Sequence, residues 1–362
     1  MRRTLYFTAP HEVEIREEPL PVLQDDEVLV ETICSAISAG TEMLVYQGRF
    51  PRDVETDSVI SGLRGGFEYP LAYGYACVGV VREAGKQVDP SLRDKFVFSF
   101  QPHTSHFSTP PSSLILLPEA ISPETACFLP NMETAVNLVQ DGAPVLGERA
   151  LVLGQGVVGL LTTSLLREFP LERLVTADRF ELRRKASQAI GVDAVLDGSG
   201  KWRVESEQKT GMASDSGNLL SSRQMPAGSR FISQRAYAQN FDLVFELSGS
   251  PAALDDAISM TSFSGRIIIG SWYGEKKAPI DLGGAFHRSR IKLISSQVST
   301  IAPELSGRWD KTRRFGVAWE ALKRIQPQKW ITHRFPIQEA ARAYRLLDEH
   351  PHEAIQVLFE YE

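Results

Sequence analysis

Short apolar runs characterise the first third of the chain. Val28–Cys34, Cys77–Glu83 and Lys95–Phe100 are rich in β-branched or aromatic residues and are bounded by Gly, Pro or Asp, which is typical of strands. No strong helical period accompanies them. The pattern therefore predicts an irregular, mostly β region over residues 1–122.

The pattern changes at Pro123, where helices and strands begin to alternate. Glu124–Val139 has helical spacing, with Pro123 at its start and Gly142 just beyond its end, as expected for a helix. Nearly apolar strands that alternate with helices predict a parallel sheet covered on both faces. The predicted elements that follow are strand Arg149–Leu153, helix Val157–Arg167, strand Arg173–Ala177, helix Glu181–Ile190, strand Ala194–Leu196, strand Phe241–Leu247, helix Ala252–Met260 and strand Arg266–Gly270.

Two further stretches complete the predicted organisation. Residues 200–240 are crowded with Ser, Gln, Gly and Arg, which predicts a polar surface insertion. The carboxy-terminal stretch Ile331–Glu362 predicts one helix, Ile337–His350, and a last strand, Ile355–Phe359. We therefore expect one domain from residues 1–122 and 300–362, and a second from residues 123–299 that carries the insertion.

Composition narrows the classes of partner and the compartment. The formal net charge of −6 gives no general reason to expect nucleic acid. The three cysteines are few, odd in number and far apart, which favours a reducing compartment. The apolar stretch Ala150–Leu166 is too short for a membrane span, which needs about 20 residues. We therefore expect a cytoplasmic protein that acts on a small molecule, with no nucleic-acid or membrane partner.

The strongest local motif is the glycine loop of residues 151–159, Leu-Val-Leu-Gly-Gln-Gly-Val-Val-Gly. Its glycines are Gly154, Gly156 and Gly159, placed between an apolar strand and an apolar helix. In such a loop the first glycine permits a tight turn, the second lets a pyrophosphate approach the amides, and the third lets helix and strand pack closely. The motif predicts a nicotinamide dinucleotide site.

Asp178 ends the next strand, where a carboxylate can accept both ribose hydroxyls. This favours NAD over NADP, because a carboxylate would repel a 2′-phosphate. A neighbouring arginine such as Arg179 can instead accommodate that phosphate, so NADP stays an alternative. The predicted cofactor-binding residues are Gly154, Gln155, Gly156, Val157, Val158, Gly159, Asp178, Arg179 and Ser248.

Three segments carry a resemblance to a known family over nearly the whole chain. They are residues 35–42 (Ser-Ala-Ile-Ser-Ala-Gly-Thr-Glu), 74–81 (Gly-Tyr-Ala-Cys-Val-Gly-Val-Val) and 331–340 (Ile-Thr-His-Arg-Phe-Pro-Ile-Gln-Glu-Ala). The chain resembles the medium-chain dehydrogenase/reductase superfamily, the zinc-type alcohol dehydrogenases. It also partly resembles the branch that contains bacteriochlorophyllide hydroxyethyl dehydrogenase. The resemblance implies an α/β chain with a GroES-like β-rich catalytic domain and a Rossmann domain built on a doubly wound parallel sheet.

The chain departs from this family at the zinc positions. Where zinc members use a cysteine it has Ser38 or Ala39, and where they use histidine and glutamate it has Tyr75 and Ala76. A catalytic zinc needs three nitrogen, sulfur or carboxylate ligands and an open position. The four closely spaced cysteines of the family's structural zinc lobe are also absent. We therefore expect neither zinc.

Without zinc, hydrogen bonds or an acid must polarise the reacting oxygen. Thr41 matches the family's proton-relaying hydroxyl. Tyr75 either points its hydroxyl into the cleft or is a packed aromatic. Glu42 either anchors its loop or acts as the acid. His103 is expected at the edge of the cleft as a proton shuttle, whereas His106 is expected to pack locally.

Asn131 and Glu133 begin the helix that the resemblance places near the nicotinamide pocket. They are predicted to contact the substrate or the nicotinamide; the simpler alternative is that they complement the helix dipole.

The reaction predicted from these features is zinc-independent hydride transfer between NAD(P) and a secondary alcohol or ketone. A quinone or enone reductase is an alternative enzyme. A dinucleotide-binding sensor without catalysis is an alternative from another class. We also expect a homodimer, formed by pairing of the apolar edge segment Ile291–Ser295.

Overall fold

The computed structural model describes residues 1–51, 66, 68–198 and 241–361 of the chain. The predicted insertion at 200–240 lies outside the described residues. The strands are β1 (Arg2–Ala9), β2 (Glu12–Glu18), β3 (Val28–Ala36), β4 (Cys77–Ala84), β5 (Phe96–Ser99), β6 (His106–Thr109), β7 (Ile115–Leu116), β8 (Arg149–Leu153), β9 (Arg173–Asp178), β10 (Ala194–Asp197), β11 (Phe241–Glu246), β12 (Thr261–Ile269), β13 (Lys292–Ser295), β14 (Ile331–Pro336) and β15 (Gln356–Glu360). The helices are α1 (Ala39–Tyr46), α2 (Pro123–Ala126), α3 (Leu129–Gly142), α4 (Val157–Leu166), α5 (Glu181–Ile190), α6 (Ala252–Met260), α7 (Lys311–Ile325) and α8 (Ala340–Glu349).

A seven-stranded sheet joins the two ends of the chain. Its order is β14-β15-β3-β4-β5-β7, with β6 also pairing with β3. The last strand, β15, runs antiparallel to β3, with Phe359 opposite Ser35. The strands β1 and β2 form a separate two-stranded hairpin. Residues from the amino-terminal third and the carboxy terminus therefore share one sheet.

The middle of the chain forms a six-stranded parallel sheet in the order β10-β9-β8-β11-β12-β13. In chain order this is 3-2-1-4-5-6, the doubly wound arrangement in which ligands bind where the order reverses. Here the reversal lies between β8 and β11. The predicted α/β fold, with a β-rich and a Rossmann part, is confirmed. The strand β13 forms one edge of this sheet.

The largest apolar core joins the two sheets through helices α3, α4 and α7. Phe98 of β5, Phe128 before α3, Phe245 of β11 and Trp319 of α7 all belong to it. α7 packs on α3 and α4, so residues 311–325 lie against the parallel-sheet side of the molecule. No helix in the described ranges is both long and apolar enough to cross a membrane.

The predicted helix Glu124–Val139 was wrong as a single element. The structure divides it into α2 and α3, with the break at Cys127 and Phe128. Pro130 occupies the first turn of α3, a position that proline tolerates; inside a continuous helix it would remove a hydrogen bond and clash with the preceding turn. Helices α1 and α7 and strand β14 were not predicted.

Candidate active site

The glycine loop lies at the reversal point of the parallel sheet, between β8 and α4. Gly154 has φ of 90°, and a Cβ there would lie 2.5 Å from the Leu247 carbonyl oxygen. A Cβ on Gly159 would lie 2.0 Å from the Gly154 carbonyl oxygen. Both positions therefore require glycine for packing, as the motif predicted.

Gly156 differs from the other two glycines of the loop because a side chain added there would enter open space. The nearest atom to a Cβ built there is the Arg183 Nη1, at 3.9 Å. Gly156 is the N-cap of α4, so no side chain caps the amides of Val157 and Val158. A helix N-terminus with free amides and a positive dipole end is a site for a phosphate group. The loop therefore fits a dinucleotide pyrophosphate.

Asp178 lies directly beside this loop at the end of β9. One carboxylate oxygen accepts the Gln155 amide at 2.7 Å, and the other accepts the Phe180 amide at 2.8 Å. The Gln155 side chain turns inward, where Thr163 donates to its oxygen at 3.1 Å. Gln155 therefore faces the loop with its backbone, and Asp178 is the acidic group nearest to where a ribose would follow the pyrophosphate.

Two predicted cofactor residues flank the loop. Ser248 follows β11, and its Cα would lie 2.6 Å from a Cβ on Gly154. The Ser248 amide donates to the buried Glu246 carboxylate at 2.9 Å, and Tyr273 also donates to that carboxylate. The Arg179 guanidinium lies 4.4 Å from the centre of the Phe180 ring. Ser248 therefore lies against the loop, and Arg179 directly follows Asp178 at the end of β9.

Three hydroxyl groups meet in the β-rich part of the chain. The Tyr75 hydroxyl donates to the Ser38 hydroxyl, and it lies 3.3 Å from the Thr41 Oγ1. All three residues are partly exposed, although the Tyr75 phenol is oriented inward toward the other two hydroxyls. Burial of the phenol raises the pKa of Tyr75 to about 12. Tyr75 therefore keeps its proton at neutral pH and can act as a hydrogen-bond donor. We call Ser38, Thr41 and Tyr75 the hydroxyl cluster.

A buried hydrogen-bonded pair supports this cluster from behind. Glu42 and His103 are both 0% exposed, and the His103 Nε2 lies 2.9 Å from the Glu42 carboxylate. The other Glu42 oxygen accepts the Ser38 amide at 2.7 Å, and Tyr344 donates to the same oxygen as His103. His103, expected at the cleft edge, is therefore enclosed, and Glu42 holds the loop that carries Ser38.

The second nitrogen of His103 continues the buried network. Its Nδ1 lies 2.6 Å from the Ser35 hydroxyl, which lies 2.7 Å from the Tyr361 hydroxyl. Gly74 has φ of 130°, and a Cβ there would lie 2.8 Å from the His103 ring. The glycine thus lets the chain cross the imidazole face immediately before Tyr75.

The two predicted substrate residues lie in the first turns of α3. Asn131 is partly exposed. Glu133 is buried, and its carboxylate accepts Lys311 and Arg314 from α7, each at 2.8 Å. The structure therefore joins Glu133 to α7, whereas Thr41, Tyr75, Glu42 and His103 form one connected group.

The residues at the hydroxyl cluster do not fit a zinc ion. Ser38 and Tyr75 offer hydroxyls, not the thiolate, imidazole or carboxylate that zinc requires. Their oxygens are hydrogen-bonded to each other. Ala76 is buried and carries no donor atom. The sequence predicted only that Ser38 stands near the position of a zinc-ligating cysteine. Its hydrogen bond with Tyr75 was not predicted.

Known proteins resemble this chain along its full length, although no protein-family model matches it. It is 21% identical over 378 residues to the starvation-sensing protein RspB of Escherichia coli K12, with 99% of each protein covered. It is 20% identical over 382 residues to sorbitol dehydrogenase 1 of Saccharomyces cerevisiae, covering 96% of this chain and 94% of that protein. The solved structure of RspB from E. coli CFT073, in complex with NADH, has the same fold, with a TM-score of 0.72 and 19% identity over 99% of each chain.

The chain is therefore similar along nearly its full length to proteins described as alcohol, sorbitol and butanediol dehydrogenases. These similarities support the predicted resemblance to the medium-chain dehydrogenase/reductase superfamily and the predicted oxidoreductase class. The glycine loop and the hydroxyl cluster are the two parts of the candidate site.

Proposed function

We propose that the chain is a medium-chain dehydrogenase/reductase that transfers hydride between NAD(H) and a secondary alcohol or ketone without a catalytic zinc. The observation that carries the proposal is the contact of the Tyr75, Ser38 and Thr41 hydroxyls, at the place where the resemblance would put zinc ligands. Oriented hydrogen-bond donors stabilise a developing alkoxide in place of a cation.

The glycine loop and its neighbours are the residues that would hold the dinucleotide. The free amides of Val157 and Val158 would bind the pyrophosphate, and the Asp178 carboxylate beside the loop would accept the ribose hydroxyls. When bound, the nicotinamide gives or takes the hydride. The RspB structure that shares this fold is described as complexed with NADH.

Tyr75 is the proposed hydrogen-bond donor and acid toward the substrate oxygen. Its raised pKa of about 12 keeps it protonated in the ground state. Ser38 and Thr41 orient the phenol. After Tyr75 has given its proton to the substrate oxygen, either hydroxyl can pass its own proton to the phenolate while it takes one from solvent. Both are partly exposed, so they, and not His103, connect Tyr75 to solvent.

Glu42 and His103 are proposed as positioning residues. Because Glu42 accepts the Ser38 amide, it fixes the loop whose side chain contacts Tyr75. His103 and Tyr344 hold the Glu42 carboxylate in place. Glu133 forms ion pairs with two basic side chains of α7, so we propose that it stabilises the contact between α3 and α7. Asn131 remains the proposed substrate contact on α3.

Asp178 is proposed to favour NAD over NADP. Asp178→Asn removes the negative charge and leaves one acceptor oxygen where the carboxylate accepts two backbone amides. The ratio of NADH affinity to NADPH affinity should fall by roughly tenfold, since a hydrogen bond to a charged group contributes about 1.5–3 kcal/mol. Calorimetry with NADH and NADPH measures it. Tighter binding of NADPH to the wild type would reject this assignment and favour Arg179 as a phosphate contact.

The organisation into units and the assembly are further proposals. Strands β3 to β7, β14 and β15 share the seven-stranded sheet. Helix α7 packs on α3 and α4, so we propose that the second unit runs from residue 123 to the end of α7. The edge strand β13 is proposed to pair with its counterpart in a homodimer. Light scattering should give twice the mass of one chain; a monomer at micromolar concentration would reject the dimer.

The proposed reaction is tested by turnover with matched substrate panels. NADH consumption should be found with ketones, and NAD reduction with the matching secondary alcohols. Consumption of NADH with enones or quinones alone would favour the reductase alternative. NADH binding without turnover of any panel would favour the sensor.

A further inference from the structure

A turn near the carboxy terminus brings three potential metal ligands together. His350 caps α8 and is followed by the 3-10 turn Pro351–Glu353. The His350 Nδ1, the His352 Nε2 and a Glu353 carboxylate oxygen all lie within 4.8 Å of one another. All three side chains are exposed. Across the described ranges no other group of three or more His, Cys, Asp or Glu side chains meets in this way.

The distances approach those of a tetrahedral metal site. The Glu353 oxygen lies 3.4 Å from the His352 Nε2 and 4.0 Å from the His350 Nδ1. Metal–nitrogen bonds of about 2.0–2.1 Å in a tetrahedron place neighbouring ligand atoms about 3.3 Å apart. Small side-chain rotations would therefore complete the set, and a water would occupy the fourth position.

Hydrogen bonds from α5, a helix beside the parallel sheet, hold the turn that carries these ligands. Arg183 of α5 donates to the Pro351 and Ala354 carbonyl oxygens, each at 3.2 Å. The Glu353 amide also donates to the His350 carbonyl oxygen at 3.0 Å. Because the backbone is fixed by these contacts, a cation would need to order only side chains, which lowers the cost of binding.

We propose that His350, His352 and Glu353 form a surface site for a divalent transition-metal cation. Two imidazoles and one carboxylate are ligands for Zn²⁺, Co²⁺, Ni²⁺ or Cu²⁺, whereas Mg²⁺ and Ca²⁺ prefer oxygen ligands alone. The site uses none of the residues assigned to hydride transfer, so a test of metal binding here is independent of the proposed function.

The site is tested on the chelator-treated, dialysed full-length protein titrated with Zn²⁺ by calorimetry. We expect one saturable site that excess Mg²⁺ does not block. Substitution by Co²⁺ should give the intense visible absorption of a four-coordinate ion. The double variant His350→Asn/His352→Asn should bind Zn²⁺ at least about tenfold more weakly, because two of three ligands are lost. The matched control His287→Asn alters another exposed histidine and should bind as the wild type does.

Equal Zn²⁺ affinity of the wild type and the double variant would overturn the proposal, as would non-saturable binding. A second measurement needs no variant. Bound Zn²⁺ should protect His350 and His352, but not His287, from modification by diethyl pyrocarbonate, read by peptide mass spectrometry. Equal modification of all three with and without Zn²⁺ would also overturn the site.

Discussion

The glycine loop and the hydroxyl cluster recognise their ligands through different atoms. The loop presents the backbone amides at the start of α4. A Cβ on Gly154 or Gly159 would clash with backbone atoms, whereas a Cβ on Gly156 would enter the open space before those amides. The cluster presents side-chain oxygens that are oriented by one another and by the buried Glu42. Adding a carbon should therefore damage the first site, whereas removing an oxygen should damage the second.

The two sites also differ in how they are supported. The loop is positioned by neighbours in sequence, the strand β8 and the helix α4. The cluster depends on Glu42, His103 and Tyr344, which come from three distant parts of the chain. Substitutions in the glycine loop should therefore change cofactor affinity, whereas substitutions in the hydroxyl cluster should change turnover.

The largest expected effect is that of Gly156→Ala on cofactor binding. The added Cβ meets only the Arg183 Nη1, 3.9 Å away, so the protein should fold with an unchanged melting temperature. The same Cβ occupies the approach to the α4 amides, so NADH affinity should fall about a hundredfold or more, which is about 2.7 kcal/mol. Calorimetry measures the loss.

Gly316→Ala is the matched control, because a Cβ at Gly316 of α7 meets nothing within 4 Å. It should keep NADH affinity and gain slight stability from the better helix former. Unchanged NADH affinity in Gly156→Ala would show that the pyrophosphate does not approach the loop there.

Next in size is the loss of turnover in Tyr75→Phe. Removing one preorganised donor typically costs about 10²–10³ in kcat, so kcat should fall about a hundredfold while NADH affinity stays the same. Tyr6→Phe removes a phenol that bonds Glu18 in the amino-terminal hairpin and should leave kcat unchanged. Full activity of Tyr75→Phe would make the tyrosine a packing residue and move the acid to Ser38 or Thr41.

The pH profile of the wild type sharpens the role of Tyr75. Since burial raises its pKa to about 12, ketone reduction should not lose rate through Tyr75 deprotonation until the pH exceeds the ordinary phenol value of about 10. A basic limb between pH 7 and 9 that disappears in Tyr75→Phe would contradict the raised pKa.

A smaller loss of turnover is expected for Glu42→Gln. Gln offers one acceptor oxygen where three donors meet, from Ser38, His103 and Tyr344, so a buried donor is left unpaired at a cost of about 1–3 kcal/mol. The loop that carries Ser38 should loosen, and kcat should fall about tenfold while the KM for NADH is unchanged.

Glu148→Gln provides the comparison for stability alone, because Glu148 binds Arg266 outside both sites. It should lower the melting temperature and leave kcat unchanged. If Glu42→Gln also changes only stability, Glu42 is structural and does not position the cluster.

The glycine loop could be predicted from sequence because its determinants are contiguous. Its three glycines, Gly154, Gly156 and Gly159, lie within six residues between a strand and a helix, so the local sequence pattern is enough to predict the loop. The helix α7 also carried a readable signal, since Phe315, Trp319, Leu322 and Ile325 recur at helical spacing.

The hydroxyl cluster and its support could be predicted only in part. Tyr75 and Thr41 were found through the resemblance, but the enclosure of His103 by Glu42 and Ser35 joins residues that are 61 and 68 positions apart. Helix α1 was not predicted because residues Glu42 to Tyr46 are all buried. Without an exposed polar face, the helical period of the hydrophobic residues is not visible in the sequence. Such contacts are set by tertiary packing, which no local pattern records.

The central claim, hydride transfer without a catalytic zinc, is tested most directly by measuring kcat of the His350→Asn/His352→Asn variant after chelation, with elemental analysis of the same sample. This background removes the proposed surface site, so any remaining zinc must be bound elsewhere. The account predicts no stoichiometric zinc and a kcat equal to that of the untreated variant, unchanged when Zn²⁺ is added back. Loss of activity on chelation, with recovery at one zinc per chain, would contradict it.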